Sequence, residues 1–288
     1  MYRIEQTIKE GKLFYTIDLV DGVHIIDVYE MNTEVAEELS PRIEGEWQFV
    51  VLNVKNEKVL NYKGDNTVGQ LIGGMKEHGF DSYFKGETPE FSILREGDLS
   101  LKFDFRNPKH NPQLHKYKLR STIKEYSKGK RVLNMFPGIS DLSVVALKGG
   151  ATHVTEFKNF TLQEQSDFLK NLNDADFEKI EQTDGDFETA LKNLEEPYQR
   201  FELILADLSV LERFFPEAAK SFKEGHKDTI RNLQHMQLEP NGILILVSDD
   251  LEFHLDGYIR PGADRLTKYL SGAEYGEQKL FHAYAFYK

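Results

Sequence analysis

At 288 residues, 40% hydrophobic and 29% charged, the chain has the make-up of an ordinary globular protein, long enough for one large domain or two ordinary ones. The absence of cysteine excludes disulfides, thiolate metal sites and cysteine nucleophiles, and a net charge of −12 disfavours broad, non-specific binding to nucleic acid, because phosphate contacts need Lys and Arg. No apolar run approaches the roughly 18 residues of a membrane helix. The start MYRIEQTIKEGK also lacks an apolar signal core, so the expected location is cytoplasmic, with no membrane partner.

In chain order, residues 1 to 95 read as a β-rich N-terminal domain. KLFYTIDLV, GVHIIDVYEM, WQFVVLNV and KVLNYK are short, rich in aromatic and β-branched residues, and separated by turn signals such as DG and KNE. One helix, NTVGQLIGGMKEHG, interrupts them, with Asn66 as its N-cap. FSILREG and DLSLKFDF form a hairpin, and the loop RNPKHNPQ ends the pattern. The aromatic residues of this half read as core, since no base-stacking platform flanked by positive charge stands out.

Residues 96 to 288 form the second domain. From Tyr117 the rhythm alternates: helix KYKLRSTIKEYSKG, strand RVLNMF, helix DLSVVALKGG, strand THVTEF, helix TLQEQSDFLKNLND, then a short strand in EKIEQTDGD. Helix FETALKNLEE, strand FELILADLS, helix HKDTIRNLQHM, strand GILILVSDD and a last strand HAYAFYK complete it. Short apolar runs alternating with helices specify a mostly parallel α/β sheet covered on both faces, whose ligands bind outside the carboxyl ends of the strands. Reading those ends gives Phe136-Pro-Gly138, Glu156, Asp186, Asp207, and Ser248-Asp249-Asp250. A carboxylate after the second strand can accept from both hydroxyls of a ribose. One after the third can take an adenine amino proton, and one after the fourth sits beside the reacting group.

Arg106 to Arg131 holds nine Lys or Arg against the single acid Glu125. This strip is either a solvated helix face or a local anion-binding surface, in which case Lys116, Lys118, Arg120 and Lys124 are its contacts. The nine histidines show no HExxH or comparable ligand spacing; His110 and His115 read as polar surface, and no metal is expected.

From about residue 95 onward the sequence resembles the class I S-adenosylmethionine-dependent methyltransferases, and within them the large-subunit ribosomal RNA group that methylates guanine N7 or cytosine C5. The resemblance is carried by LSLKFDFR, with Asp104 and Arg106 in the places of a Leu-Asp-x-Arg loop, by KGKRVLNMF, LKGGATHV, NLN, DGDF and FELILADLS, and by LEPNGILILVSDDLEFHLD. It implies a Rossmann-like methyltransferase domain, S-adenosylmethionine as cofactor and RNA as substrate. The implied cofactor-binding residues are Asp104, Arg106, Phe136, Gly138, Glu156, Asp186 and Asp207, with Asp207 also catalytic.

The departures set the limits. The family's first turn carries glycines where this chain has Ser140 and Asp141. Asp141 is either the N-cap of the following helix or a partner for the cofactor's ammonium. An ungapped match places Lys158, not Glu156, at the ribose. Asp207-Leu208-Ser209 stands where base-amine methyltransferases carry Asp/Asn-Pro-Pro-aromatic. Without cysteine, C5 chemistry is out, which leaves transfer to a ring nitrogen or another group that is already nucleophilic. Two functions stay open: an active RNA methyltransferase, or a catalytically inactive protein of that fold acting as a binding or scaffold module.

Overall fold

The computed structural model describes residues 2–9, 12–87, 89–107, 110–113, 116–195, 199–233, 237–248, 263–264 and 282–287. The chain divides into two compact units, Met1–Leu94 with Lys102–Asn111, and Arg95–Leu101 with Pro112–Lys288. Where the sequence suggests one cut after residue 95, the chain enters the second unit at Arg95, returns to the first over Lys102–Asn111 and re-enters the second at Pro112.

The first unit is a five-stranded sheet of β1 (Tyr2–Lys9), β2 (Lys12–Val20), β3 (Val23–Val28), β4 (Val50–Val54) and β5 (Ser82–Lys85), in that spatial order. All pairs are antiparallel except β3 with β4. Asp21 and Gly22, both at positive φ, make the two-residue turn joining β2 to β3. Helices α1 (Thr33–Pro41) and α2 (Thr67–His78) supply Val35, Leu39, Val68 and Ile72 to a core with Tyr15, Ile26 and Leu52. Asn66 caps α2 through the Gly69 N–H, as its sequence position suggests, and Asn32 caps α1 through Val35.

Four assignments in this unit change, two of them the strands β1 and β5, unassigned from sequence. KVLNYK is not a strand: the Asn56 side chain accepts from the Lys58 N–H and starts a short turn of helix over Glu57–Asn61. TEVAEELSP, unassigned from sequence, is a helix, and Val35, Ala36 and Leu39 are its buried positions. β6 (Phe91–Glu96) and β7 (Leu99–Asp104) form the expected hairpin, a two-stranded sheet.

The second unit contains α3 (Tyr117–Tyr126), β8 (Arg131–Asn134), α4 (Asp141–Lys148), β9 (His153–Phe157), α5 (Gln163–Leu172), β10 (Ile180–Thr183), α6 (Phe187–Glu195) and β11 (Phe201–Asp207). It continues through α7 (Leu208–Phe214), α8 (Pro216–Asn232), β12 (Leu238–Ser248), β13 (Ala263–Asp264) and β14 (His282–Tyr287). The sheet runs β10-β9-β8-β11-β12-β14-β13; the first five strands are parallel and β14 pairs antiparallel to β12. This is the expected Rossmann-like architecture. From sequence the stretch after β11 yields one helix, over HKDTIRNLQHM; the structure has α7 immediately after the strand and α8 beginning at Pro216.

The order places the site. From β8 the chain builds outward through β9 and β10, then returns to the other side of β8 with β11. The carboxyl ends of β8 and β11 therefore flank the point where the strand order reverses, where open α/β sheets bind ligands. On one face Leu133, Phe157, Ile204 and Ala206 belong to a core with Leu211, Phe222, Ile230 and Leu233 of the region from α7 to Leu233. Phe136 is 1% exposed and packs edge-on against Phe160 at 5.3 Å and Phe222 at 5.7 Å. Its expected role in lining a cofactor site is thereby corrected: the ring is enclosed on several sides by other rings.

Candidate functional site at the strand-order reversal

The turn after β8 keeps the backbone of a glycine-rich turn with one glycine. Gly138 has φ +54 and Ser140 φ +63, both in the left-handed region. A Cβ on Gly138 would come within 3.1 Å of Val210, so that glycine answers to both conformation and space. Ser140 adopts the same region with a side chain, at a cost of about 1 kcal/mol. Its Oγ meets the Ser166 Oγ of α5 at 2.6 Å, and its N–H donates to Pro137 O at 2.7 Å. The Gly138 N–H donates to Phe160 O, and Gly138 O accepts from the Leu162 N–H, so the turn is stitched to the loop that follows β9. Gly138 thus contributes shape; its backbone groups are engaged within the protein.

Asp141 is not the N-cap. Ser140 holds that position without a side-chain capping bond, and Asp141 is the first residue of α4. One carboxylate oxygen accepts from the Leu142 N–H at 3.0 Å; the other lies 3.5 Å from the Arg120 guanidinium. Burial pushes its pKa up, against the pull of Arg120; Asp207 adds to the rise and Lys116 opposes it.

At the end of β11, Asp207 is 5% exposed. Lys116 Nζ donates to both its oxygens, at 2.9 and 3.0 Å, and contacts Ser209 Oγ at 2.6 Å. The Ser209 N–H and hydroxyl also reach Asp207. These contacts engage both oxygens of Asp207, the residue expected to be catalytic and to bind the cofactor: Oδ1 accepts from Lys116 and Ser209, Oδ2 from Lys116.

Lys116 and Arg120 are each 2% exposed, which corrects their placement in a solvent-facing RNA strip. Arg120 donates from Nε and a terminal nitrogen to Glu96, at 2.7 and 2.5 Å, and to Gln113 O at 3.0 Å. Lys124 pairs with Asp98 at 2.5 Å and Lys118 lies 5.9 Å from the Tyr117 ring centroid; both stay partly exposed. Lys109 and His115 lie outside the described residues, as do Asp249 and Asp250.

On the other side of the turn Glu156 is 0% exposed, on the sheet face that carries α4 and α5. One oxygen accepts from Lys170 at 2.9 Å and Gln182 at 3.3 Å; the other has no hydrogen-bond partner among the described residues. A carboxylate sealed under α5 does not reach a ligand outside the strand ends, which corrects Glu156 as a rim residue. At the rim itself Lys158, the residue after β9, pairs with Asp184, the residue after β10, at 3.1 Å. The sequence singles out Lys158 but not Asp184, whose only signal is its place one residue past a strand. Asp186 is exposed and caps α6 through the Thr189 N–H at 2.8 Å, a bond that lowers its pKa.

Asp104 and Arg106 belong to the first unit. Asp104 accepts from the Arg106 and Asn107 N–H groups, closing its own turn, and Arg106 is exposed. No cluster of three or more His, Asp or Glu among the described residues could hold a metal ion, and none of their helices is long and apolar enough to cross a membrane.

No family model matches the chain. Two curated relatives do: Ribosomal RNA large subunit methyltransferase I of Aeromonas salmonicida, 28% identical over 184 residues, and that of Aeromonas hydrophila, 30% identical over 188. Each match takes in 61% of this chain and 44% of the relative, so the chain spans less than half the length of the proteins it matches. Among solved structures, a proposed SAM-dependent methyltransferase from Streptococcus mutans is similar over 100% of this chain and 74% of its own, with a TM-score of 0.69 at 15% identity. A proposed methyltransferase solved with S-adenosylhomocysteine is similar over 100% of this chain and 75% of its own, also with a TM-score of 0.69 at 15% identity. A SAM-dependent methyltransferase from Agrobacterium tumefaciens reaches a TM-score of 0.51 at 14% identity, over 86% of this chain and 71% of its own. Sequence and fold thus agree on the class I methyltransferase resemblance carried by the motifs.

Proposed function

We propose that the chain is an S-adenosylmethionine-dependent methyltransferase acting on RNA, with a ring nitrogen as the target. The observation that carries this reading is the turn at the strand-order reversal. Gly138 and Ser140, two residues apart, hold left-handed conformations and bring the acid Asp141 to the front of α4. Two left-handed residues in one tight turn at the strand-order reversal are the kind of local strain that collects at ligand sites, and this supports a cradle.

The residues fit the cofactor at its amino-acid end, where the turn and Asp141 lie, and on its adenosine side in a changed form. The pair Lys158–Asp184 offers donors and an acceptor to a ribose, in place of a lone acid, and Asp186 stands next to it for the adenine. S-adenosylmethionine supplies a methyl group made electrophilic by its sulfonium. Asp207, Lys116 and Ser209 form a fixed, charge-compensated floor beside the reacting position. Bonded to Lys116 through both oxygens and to Ser209 through one, Asp207 is read as part of that floor rather than as the group that removes a proton. The matching nucleophile is one with no proton to lose, a pyridine-type ring nitrogen, for which positioning is the main requirement. Lys118 and Lys124, partly exposed where Lys116 and Arg120 are buried, are the proposed RNA contacts.

The engagement of Asp207 also favours a second reading, an inactive module of this fold that binds nucleotide or RNA without transfer. Incubation with RNA and methyl-labelled S-adenosylmethionine, followed by digestion to nucleosides, separates the two. Label in a ring-nitrogen-methylated nucleoside is the expected product. Label in 5-methylcytosine contradicts the nitrogen target, and cofactor binding without transfer to RNA establishes the module.

A further inference from the structure

Resting on the reading of this crevice as an S-adenosylmethionine site, we infer that Asp141 is the group that recognises the ligand's primary ammonium. Its contacts single it out. Among the described residues around the strand-order reversal, two cations, Lys116 and Arg120, face three carboxylates, Asp141, Asp207 and Glu96, one more acid than base. Asp207 receives Lys116 on both oxygens and Ser209 on Oδ1, and Glu96 holds Arg120 at 2.7 and 2.5 Å. Asp141 has only the long 3.5 Å approach of Arg120 on its second oxygen, among the contacts of the described residues. Its side chain is 18% exposed, level with the 17% of Glu96 and above the 7% of Asp207, so access sets it apart from Asp207 and the looser Arg120 contact sets it apart from Glu96. The residue is not engaged in capping either, because Ser140 occupies the N-cap and Asp141 bonds no amide beyond its neighbour Leu142.

An ammonium donating to that oxygen would bring a third cation to the three acids and form a charge-assisted hydrogen bond of the stronger kind. A ligand that lacks the ammonium gains nothing there. The pH dependence follows from the groups that face Asp141. Burial and Asp207 raise its pKa, while Arg120 and Lys116 oppose the rise. Protonation removes the charge the ammonium needs, so affinity for an amino-bearing ligand is full above the raised pKa and falls as pH drops through it.

Calorimetric titration of the full chain with two probes tests this: S-adenosylhomocysteine, which carries the ammonium, and 5′-methylthioadenosine, which has the same nucleoside thioether without the amino-acid end. The Asp141→Asn variant is expected to bind S-adenosylhomocysteine about tenfold more weakly, the loss of one charge-assisted bond, and 5′-methylthioadenosine within about twofold of wild type. In wild type, the preference for S-adenosylhomocysteine is expected to shrink as pH falls, a readout that does not depend on the variant's folding. Equal loss of both probes, or no loss of either, overturns the role of Asp141 while leaving the crevice reading in place. Binding of neither probe by wild type overturns the crevice reading and this assignment with it.

Discussion

Lys116→Met lowers the stability of the protein by roughly 3–5 kcal/mol, the cost of leaving a buried charge without its partner. Asp207 is 7% exposed at the side chain and receives both its ammonium bonds from Lys116. Removing the lysine strands the carboxylate, which must then stay ionised in an apolar setting or take up a proton. Guanidinium unfolding curves measure the change. The double variant Lys116→Met/Asp207→Leu recovers most of it, because replacing both members of a buried pair with apolar groups is often neutral. A loss below about 1 kcal/mol in the single variant would place the pair among solvated surface ion pairs and return Lys116 to the exposed basic strip.

Phe136→Ala is the second large effect, an expected loss of about 3–5 kcal/mol from emptying a packed aromatic site. The ring contacts Phe160, Phe187 and Phe222 with centroid separations of 5.3 to 6.0 Å. The same variant distinguishes core from cofactor wall. As core, it lowers the melting temperature of the free protein markedly; as a wall, it would weaken ligand binding and leave the free protein's unfolding unchanged.

The sequence carried the framework because its signals are local. Asp21-Gly22 specifies its turn through φ alone, Asn66 announces the start of α2, and the runs in RVLNMF, THVTEF and FELILADLS are buried strands between helices. Local pattern failed where a short polar start outweighed propensity, as at Asn56, which turns KVLNYK into a helical turn. The site was harder to read for a different reason. Lys116 and Arg120 look like any basic helix face until the fold brings Asp207 to one, 91 residues away, and Glu96 to the other. Glu156 likewise looks like a rim acid at a strand end; only the approach of Lys170 from α5 shows that it is sealed beneath a helix. The substitution of Ser140 for a family glycine reads from sequence as a lost turn. In the structure the left-handed backbone survives, tied down by Ser166, a partner 26 residues away.

The reversal between β8 and β11 is the proposed site of S-adenosylmethionine or its product. Thermal unfolding of the full chain with increasing S-adenosylhomocysteine tests it most directly. A ligand that binds only the folded state stabilises it by about 2.7 kcal/mol at 100 times its dissociation constant, so the melting temperature should rise steadily with concentration and level into a logarithmic climb. An unchanged melting temperature at millimolar S-adenosylhomocysteine, and equally at millimolar S-adenosylmethionine, would contradict the claim.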